Sequence, residues 1–151
     1  MEGLEGIIRE HPFFAGLDER FIALVSGCAK NVRFEAKQYL IRHDEPANEF
    51  YLVRHGRVAL EIAAPGHGAL TFQTLGAGDI VGVSWLISPY RSQYDAQALE
   101  LTRAIAIDGG CLRTKCESDH DLGYEMMKRV VAILVQRLHA TRLQILDVYG
   151  R

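Results

Sequence analysis

Hydrophobic residues recur at helical spacing over the first 28 positions of the chain. Their three- and four-residue intervals are interrupted at Pro12, which predicts two short helices rather than one. Asp18 stands where its side chain can accept a backbone N–H bond at the start of the second helix. We therefore expect residues 1–28 to form a helical lead-in to the rest of the fold.

From residue 31 to residue 107 the hydrophobic period shifts toward two, which is typical of β-strands. Turn residues interrupt the pattern at Gly56, at residues 65–68 and at residues 76–79. The predicted strands are 31–35, 38–42, 49–54, 57–63, 69–75, 79–82, 94–99 and 102–107. This pattern predicts a mainly β barrel or sandwich with flanking helices.

The end of the chain returns to helical spacing, with no proline between residues 121 and 148. Alternate intervals of four and three form a seam like that of a coiled coil: Met127, Val131, Leu134, Leu138, Thr141, Ile145 and Val148. Val130, Ile133 and Leu143 add apolar surface outside the seam. We predict that this helix packs on the barrel with one face and forms a homodimer through the seam. The alternative is that all these residues pack on their own barrel.

Length and composition are those of one soluble globular domain over residues 1–151, with helices over 108–150 following the barrel. The chain is 48% hydrophobic and 24% charged. Its longest apolar run, residues 130–135, is far shorter than the roughly 20 residues that cross a bilayer. The acidic start does not resemble a secretory signal, so we expect a cytoplasmic protein without membrane contact. A net charge of −2 gives no general attraction to nucleic acid.

The three cysteines, Cys28, Cys111 and Cys116, are odd in number and include no C-x2-C pair. Such spacing indicates neither a disulfide framework nor a zinc site, so we expect reduced thiols. The cysteines are also too few to hold an iron–sulfur cluster.

Several motifs, taken in order, resemble the cyclic nucleotide-binding domain of the catabolite activator and related bacterial regulators. They are YLIRHDEPA over residues 39–47, FYLVRHGRV over 50–58, LGAGD over 75–79, VG over 81–82 and RLHATR over 137–142. Asp44 stands where the family usually has glycine. The resemblance covers nearly the whole chain. It implies a double-stranded β-helix, a jelly-roll-like barrel, with N-terminal helices and a long C-terminal dimer helix.

In this family, a phosphate-binding cassette supplies a glutamate to the ribose hydroxyl and an arginine to the cyclic phosphate. Backbone amides at a short helix start complete such a site, because amide donors and a guanidinium suit an anion. Here Gly82 matches the motif, but Val83 occupies the glutamate position and cannot accept a hydrogen bond. Alignment on Ala98 puts Ser92 at the arginine position and leaves Arg91 one residue early.

Arg91 has two interpretations. It either points into the barrel mouth and pairs with an anion, aided by the amides of residues 82–84, or is a solvated loop arginine. Ser84 and Ser92 are further candidate donors, although loop serines are usually turn residues. Trp85 could stack on a base, but a tryptophan between apolar neighbours is more often part of the core.

Thr141 is a polar residue on the apolar seam of the final helix. The resemblance implies that a threonine at this position contacts the purine of the nucleotide and couples it to the dimer helix. The alternative is a polar residue that sets the register of a helix pair.

A competing class is a metal-binding cupin. His43, Glu45 and Glu49, followed by Gly56, partly match a cupin motif and could hold a divalent ion. The second cupin motif has no counterpart, because His67 lies at a hairpin tip. No nucleophile with an adjacent base is placed by any motif, so the sequence offers no evidence for an enzyme.

The sequence stops directly after the predicted dimer helix, where the family's regulators carry a helix-turn-helix module. We therefore expect no direct DNA binding. The most consistent interpretation is a non-enzymatic sensor that dimerises through its final helix. It is either a free-standing domain that signals to a partner or the effector fragment of a longer chain. Its candidate ligand is cyclic AMP or another anionic nucleotide, bound weakly or in an altered way.

Overall fold

The fold begins with helices, as the hydrophobic spacing predicts. The computed structural model describes residues 3–150, so residues 1 and 2 of the predicted lead-in, and Arg151, lie outside the described range. Helices α1 (Glu5–Glu10) and α2 (Glu19–Ser26) flank a 3₁₀ turn that begins at Pro12. The Asp18 carboxylate accepts a 2.9 Å bond from the Arg20 amide, which confirms the predicted cap.

All eight predicted strands are present in the described residues, with bounds that differ from the prediction by no more than two residues. They are β1 (Ala29–Phe34), β2 (Tyr39–Ile41), β3 (Glu49–His55), β4 (Val58–Ala64), β5 (Gly68–Leu75), β6 (Ile80–Val81), β7 (Asp95–Ala98) and β8 (Thr102–Asp108). They form two four-stranded sheets, in the orders β1-β8-β3-β6 and β2-β7-β4-β5. The sheets are not hydrogen-bonded into one closed barrel, but the jelly-roll-like fold is confirmed.

Two helices follow the sheets: α3 (Gly109–Ser118) and α4 (His120–Tyr149). The Asp119 side chain caps α4 by accepting bonds from the amides of Asp121 and Leu122. The long helix predicted from residue 121 therefore begins one residue earlier. No helix within residues 3–150 is both long and apolar enough to cross a membrane.

The hydrophobic core has two parts, because alternate residues of the inner strands face opposite ways. The sheet-side core, between the two sheets, comprises Leu40, Ile41, Tyr51, Val53, Val58, Leu60, Leu75, Val81, Ala96, Ala98, Ala104 and Ala106. The helix-side core, under the helices, comprises Ile8, Phe13, Phe14, Leu17, Phe21, Ile22, Val25, Cys28, Phe50, Leu52, Ile80, Trp85, Ile105, Ile107, Leu112, Cys116, Leu122, Met126 and Val130. Strand β3 is therefore buried on both faces.

The expectation of three reduced thiols is wrong for two of the cysteines. Cys28, which follows α2, forms a disulfide with Cys111 in the first turn of α3, and their Cα atoms are 5.8 Å apart. The fold brings together two residues separated by 83 positions, which cysteine spacing alone could not reveal. Cys116 is free and buried, and burial raises the pKa of its thiol to about 11.

Helix α4 is attached to its own domain along one side. Arg137 donates to the Ile80 carbonyl and the Tyr94 hydroxyl, and Gln144 donates a 2.6 Å bond to the Phe72 carbonyl. The apolar residues of the seam remain exposed: Met127, Val131, Leu134, Leu138, Ile145 and Val148 are between 43% and 67% accessible. The alternative that the whole seam packs on its own barrel is therefore wrong.

Candidate functional site

The cassette segment, residues 82–92, joins β6 to β7 and is anchored by glycine and tryptophan. Gly82 has a φ of 101°, and a Cβ atom there would lie 3.1 Å from Ile41 Cδ1 and 3.3 Å from Phe50 Cβ. Trp85 is fully buried, and its ring stacks on Phe50 with centroids 4.8 Å apart. The core interpretation of Trp85 is thus confirmed, and its ring lines neither of the two cavities described below.

Val83 and Ser84 lie between the glycine and the tryptophan. Both are half-buried, and Val83 packs against the helix-side core. The position that carries a glutamate in the family's motif is therefore apolar in its contacts as well as in its side chain. Neither residue lines the cavities described below.

Arg91 and Ser92, neighbours in sequence, face two different cavities. Ser92 is buried and lines an inner cavity of about 160 Å³, together with residues 40–42, 45–49 and Tyr51. Arg91 is exposed and lines an outer cleft of about 520 Å³, together with Lys30, residues 46–49, Pro89, Tyr90, Asp108, Gly110 and Arg113. Residues 46–49 form a wall common to both.

The inner cavity is small and held by backbone pairing. The Asp44 amide donates a 2.8 Å bond to the Ser92 carbonyl, and the Ser92 amide donates a 3.0 Å bond to the Glu45 carbonyl. Burial, and secondarily the Glu49 carboxylate, raises the pKa of Tyr51, which therefore stays a neutral donor. Sites for small organic ligands usually measure about 300–1,000 Å³, so this cavity is smaller than a nucleotide requires.

The outer cleft falls within that range and carries three cations. Lys30 pairs with Glu49 at 3.5 Å. Arg91 donates a 2.6 Å bond to the Asp44 carbonyl, and Arg113 donates to the Trp85 carbonyl with its guanidinium 3.9 Å above the Tyr90 ring. Among residues 3–150, no carboxylate lies within 4.0 Å of either arginine.

Arg113 is a candidate site residue that sequence reasoning missed. Between residues 58 and 101, the stretch that contains the cassette motif, Arg91 is the only lysine or arginine in the sequence. Arg113 enters the cleft from α3, and no motif connects it to the cassette segment. Its half-buried position and its contact with Tyr90 depend on tertiary packing alone.

Thr141 lies apart from both cavities, on the exposed side of α4. Its hydroxyl donates a 2.9 Å bond to the Arg137 carbonyl one turn earlier, so the helix itself uses this donor. The structure therefore brings Arg91 and Ser92 to adjoining cavities but does not place Thr141 or residues 82–84 beside them.

The cupin alternative has no support in the geometry. His43 is exposed, and its backbone amide bonds to Asp95 at 2.7 Å. Among residues 3–150, no group of three histidine, cysteine, aspartate or glutamate residues is arranged to hold a metal ion. His43, Glu45 and Glu49 are thus not brought together as ligands.

A comparison with family models identifies the fold independently. The model of the cyclic nucleotide-binding domain matches residues 31–119, which is more than half of the chain. The chain belongs to the cyclic nucleotide-binding domain family. Domains of this family are typically regulatory rather than catalytic. Asp44, at the family's glycine position, has a φ of 64°, a left-handed conformation that aspartate tolerates better than most residues.

Solved structures share this fold. A protein from Geobacter metallireducens GS-15, described as cyclic nucleotide-binding, is 27% identical with a TM-score of 0.81, covering 89% of this chain and 98% of its own. A cyclic nucleotide-binding domain from Methylobacillus flagellatus KT is 18% identical with a TM-score of 0.82, covering 96% and 85%. The c-di-GMP-responsive regulator CLP from Xanthomonas campestris is 18% identical with a TM-score of 0.70, covering 85% and 63%. No curated protein matches the chain.

Proposed function

We propose that this protein is a non-enzymatic sensor domain that binds a small anionic nucleotide and passes the signal to a partner through its C-terminal helix. The observation that carries the proposal is Arg91, a cassette guanidinium that faces a cleft and, within residues 3–150, bonds to the Asp44 carbonyl and to no carboxylate. Because an uncompensated guanidinium favours an anion, Arg91 is the principal charge partner in this proposal.

The proposed site binds cyclic AMP more weakly than sites with the full cassette motif. Val83 offers no carboxylate to the ribose hydroxyl, which then lacks an acceptor. Such a loss costs about 1–3 kcal/mol, or roughly ten- to a hundredfold in affinity. The related regulator CLP is described as responsive to c-di-GMP, which supports an anionic nucleotide other than cyclic AMP as an alternative ligand.

In this proposal, the remaining candidate residues can contact a ligand at Arg91 only after part of the structure moves. Gly82, Val83, Ser84 and Thr141 line neither cavity, and Ser92 faces only the smaller one. Contacts from these residues to a ligand at Arg91 therefore need the cassette segment or α4 to shift on binding. This requirement makes ligand binding and the position of α4 interdependent, which is what a sensor needs.

The output surface in this proposal is the exposed seam of α4. Its apolar residues are accessible while the opposite side of the helix is bound to the domain through Arg137 and Gln144. A second copy of the chain would cover the seam and form a homodimer. We place this sensor in the cytoplasm. A disulfide is unusual in a reducing compartment, so the Cys28–Cys111 pair is a test of that location.

Calorimetric titration with cyclic AMP and cyclic GMP tests the proposal. We expect measurable binding, with a dissociation constant above about 1 μM for cyclic AMP, which corresponds to about −8 kcal/mol. Sub-micromolar affinity for cyclic AMP would contradict an altered cassette. No binding of either nucleotide would contradict a cyclic nucleotide as the ligand.

A further inference from the structure

Two arginines reach the outer cleft from different elements, and both are held by neutral groups. Arg91 is fixed by the Asp44 carbonyl, and Arg113 by the Trp85 carbonyl and the Tyr90 ring. These contacts orient the guanidinium groups without neutralising their charge. Arginines positioned in advance lose little side-chain freedom when an anion binds.

The carboxylates of the outer cleft are already engaged. Glu49 pairs with Lys30 at 3.5 Å and accepts from the Tyr51 hydroxyl at 3.4 Å. Asp108 accepts a 2.9 Å bond from the Cys111 amide and thereby caps α3. Lys30 and Glu49 therefore offset each other. Asp108 keeps its negative charge but forms no ion pair with either arginine within residues 3–150, so both guanidinium groups can contact an external anion.

We propose that the outer cleft binds a small phosphomonoester, with Arg91 and Arg113 together neutralising its phosphate dianion. The inference rests on the proposed function, because it takes Arg91 as the charge partner of the ligand. It deepens that proposal by naming a second guanidinium and by replacing the amides of residues 82–84, which do not line the cleft. Two guanidinium groups without a carboxylate partner can each contact a phosphomonoester, which has three terminal oxygens and close to two negative charges at pH 7. A cyclic phosphodiester has two terminal oxygens and one charge, so it suits the pair less well.

The size of the cleft favours an organic phosphate over a free phosphate ion. Its volume of about 520 Å³ falls in the range of sites for small organic ligands. A phosphate between Arg91 and Arg113 would also connect the cassette segment to α3. Since α3 packs against α4 through Leu112 and Cys116 in the helix-side core, ligand binding would act on the base of the dimer helix.

A titration with two adenosine ligands tests the inference, because 5′-AMP carries a phosphomonoester and cyclic AMP a cyclic diester. The two share the base and the 2′-hydroxyl, and 5′-AMP also has a free 3′-hydroxyl. We expect 5′-AMP to bind at least about tenfold more tightly than cyclic AMP, since it makes a second charge-assisted contact. Arg113→Gln and Arg91→Gln should each weaken 5′-AMP binding about ten- to a hundredfold. Arg103→Gln, an exposed arginine on β8, serves as the control and should leave affinity unchanged.

Arg113 also contacts the cassette backbone, so folding is monitored by thermal melting of every variant. Arg113→Lys keeps the charge but loses the planar fork, and it should bind with intermediate affinity. Inorganic phosphate should bind more weakly than 5′-AMP. Equal affinity for the two would show that the nucleoside makes no contact, and it would overturn the claim that the cleft binds an organic phosphate.

The outcomes separate this inference from the proposed function. Folded Arg113→Gln that binds 5′-AMP as tightly as wild type overturns the inference, as does wild type that binds 5′-AMP no better than cyclic AMP. If cyclic AMP binds in an Arg91-dependent way and 5′-AMP does not bind, the inference fails but the proposed function stands. Binding of 5′-AMP that needs both arginines, without any binding of cyclic AMP, would support the inference and contradict a cyclic nucleotide ligand.

Discussion

The exposed seam of α4 leads to a quantitative prediction for the double variant Leu134→Lys, Leu138→Lys. The two leucines are 46% and 50% exposed in the single chain, so about half of each side chain remains to be buried. Full burial of a leucine contributes about 1.5–3 kcal/mol, and half of that is about 0.7–1.5 kcal/mol. A two-fold dimer buries four such side chains, which together contribute about 3–6 kcal/mol.

Loss of this free energy should weaken dimerisation by a factor of roughly 100 to 10,000, before repulsion between the added charges is counted. Light scattering at tens of micromolar should therefore show a wild-type dimer and a monomeric variant. Because the lysines lie on a surface that is exposed in the single chain, the variant should still fold. Its melting temperature should fall only by the contribution that dimerisation makes to wild type.

The matched control for this prediction is Gln136→Lys, His139→Lys. Both residues are exposed on α4 but lie outside the four–three spacing of the seam. The control adds the same charges to the same helix and should remain dimeric. A monomeric wild type at these concentrations would refute the dimer, and a dimeric Leu134→Lys, Leu138→Lys variant would show that the interface lies elsewhere.

Two further changes test other parts of the structure. Replacing Cys28 and Cys111 by alanine should lower the free energy of unfolding by about 2–5 kcal/mol, because the disulfide closes a loop across 83 positions. In urea unfolding, a reductant should destabilise wild type but not this variant. A wild type that is insensitive to the reductant would mean that the bond is absent. Val83→Glu should strengthen cyclic AMP binding about ten- to a hundredfold in calorimetry by supplying an acceptor for the ribose hydroxyl. Melting is measured alongside because Val83 packs on the helix-side core, and a folded variant with unchanged affinity would rule out the ribose contact.

The local features of the fold could be predicted from the sequence because each has a short-range cause. The break at Pro12 follows from proline's missing N–H, and the cap at Asp18 from a side chain that bonds two residues ahead. The strands follow from the turn residues between them and from short apolar patterns. On β7 buried and half-buried residues alternate, whereas β3, buried on both faces, has the continuous apolar run 50–53. The seam of α4 could be predicted because its alternating intervals of four and three continue over seven residues, from Met127 to Val148.

The features that sequence could not provide all depend on contacts between distant parts of the chain. Cys28 and Cys111 meet only because α2 and α3 pack side by side. Arg113 reaches Tyr90 from a different element, and no spacing rule connects them. The separation of Arg91 from Ser92 into two cavities depends on how the segment pairs with residues 44–46. The candidate site is therefore less predictable than the fold that carries it.

The most direct test of the central claim is calorimetric titration of cyclic AMP into wild type, Arg91→Ala and the control Arg103→Ala. If Arg91 is the principal charge partner of an anionic nucleotide, its loss should cost about 2–4 kcal/mol of binding, roughly 30- to 1,000-fold in affinity. The melting temperature should change little, since the side chain is exposed. Equal affinity in wild type and Arg91→Ala would contradict the account, and a large loss of melting temperature would assign Arg91 a structural role instead.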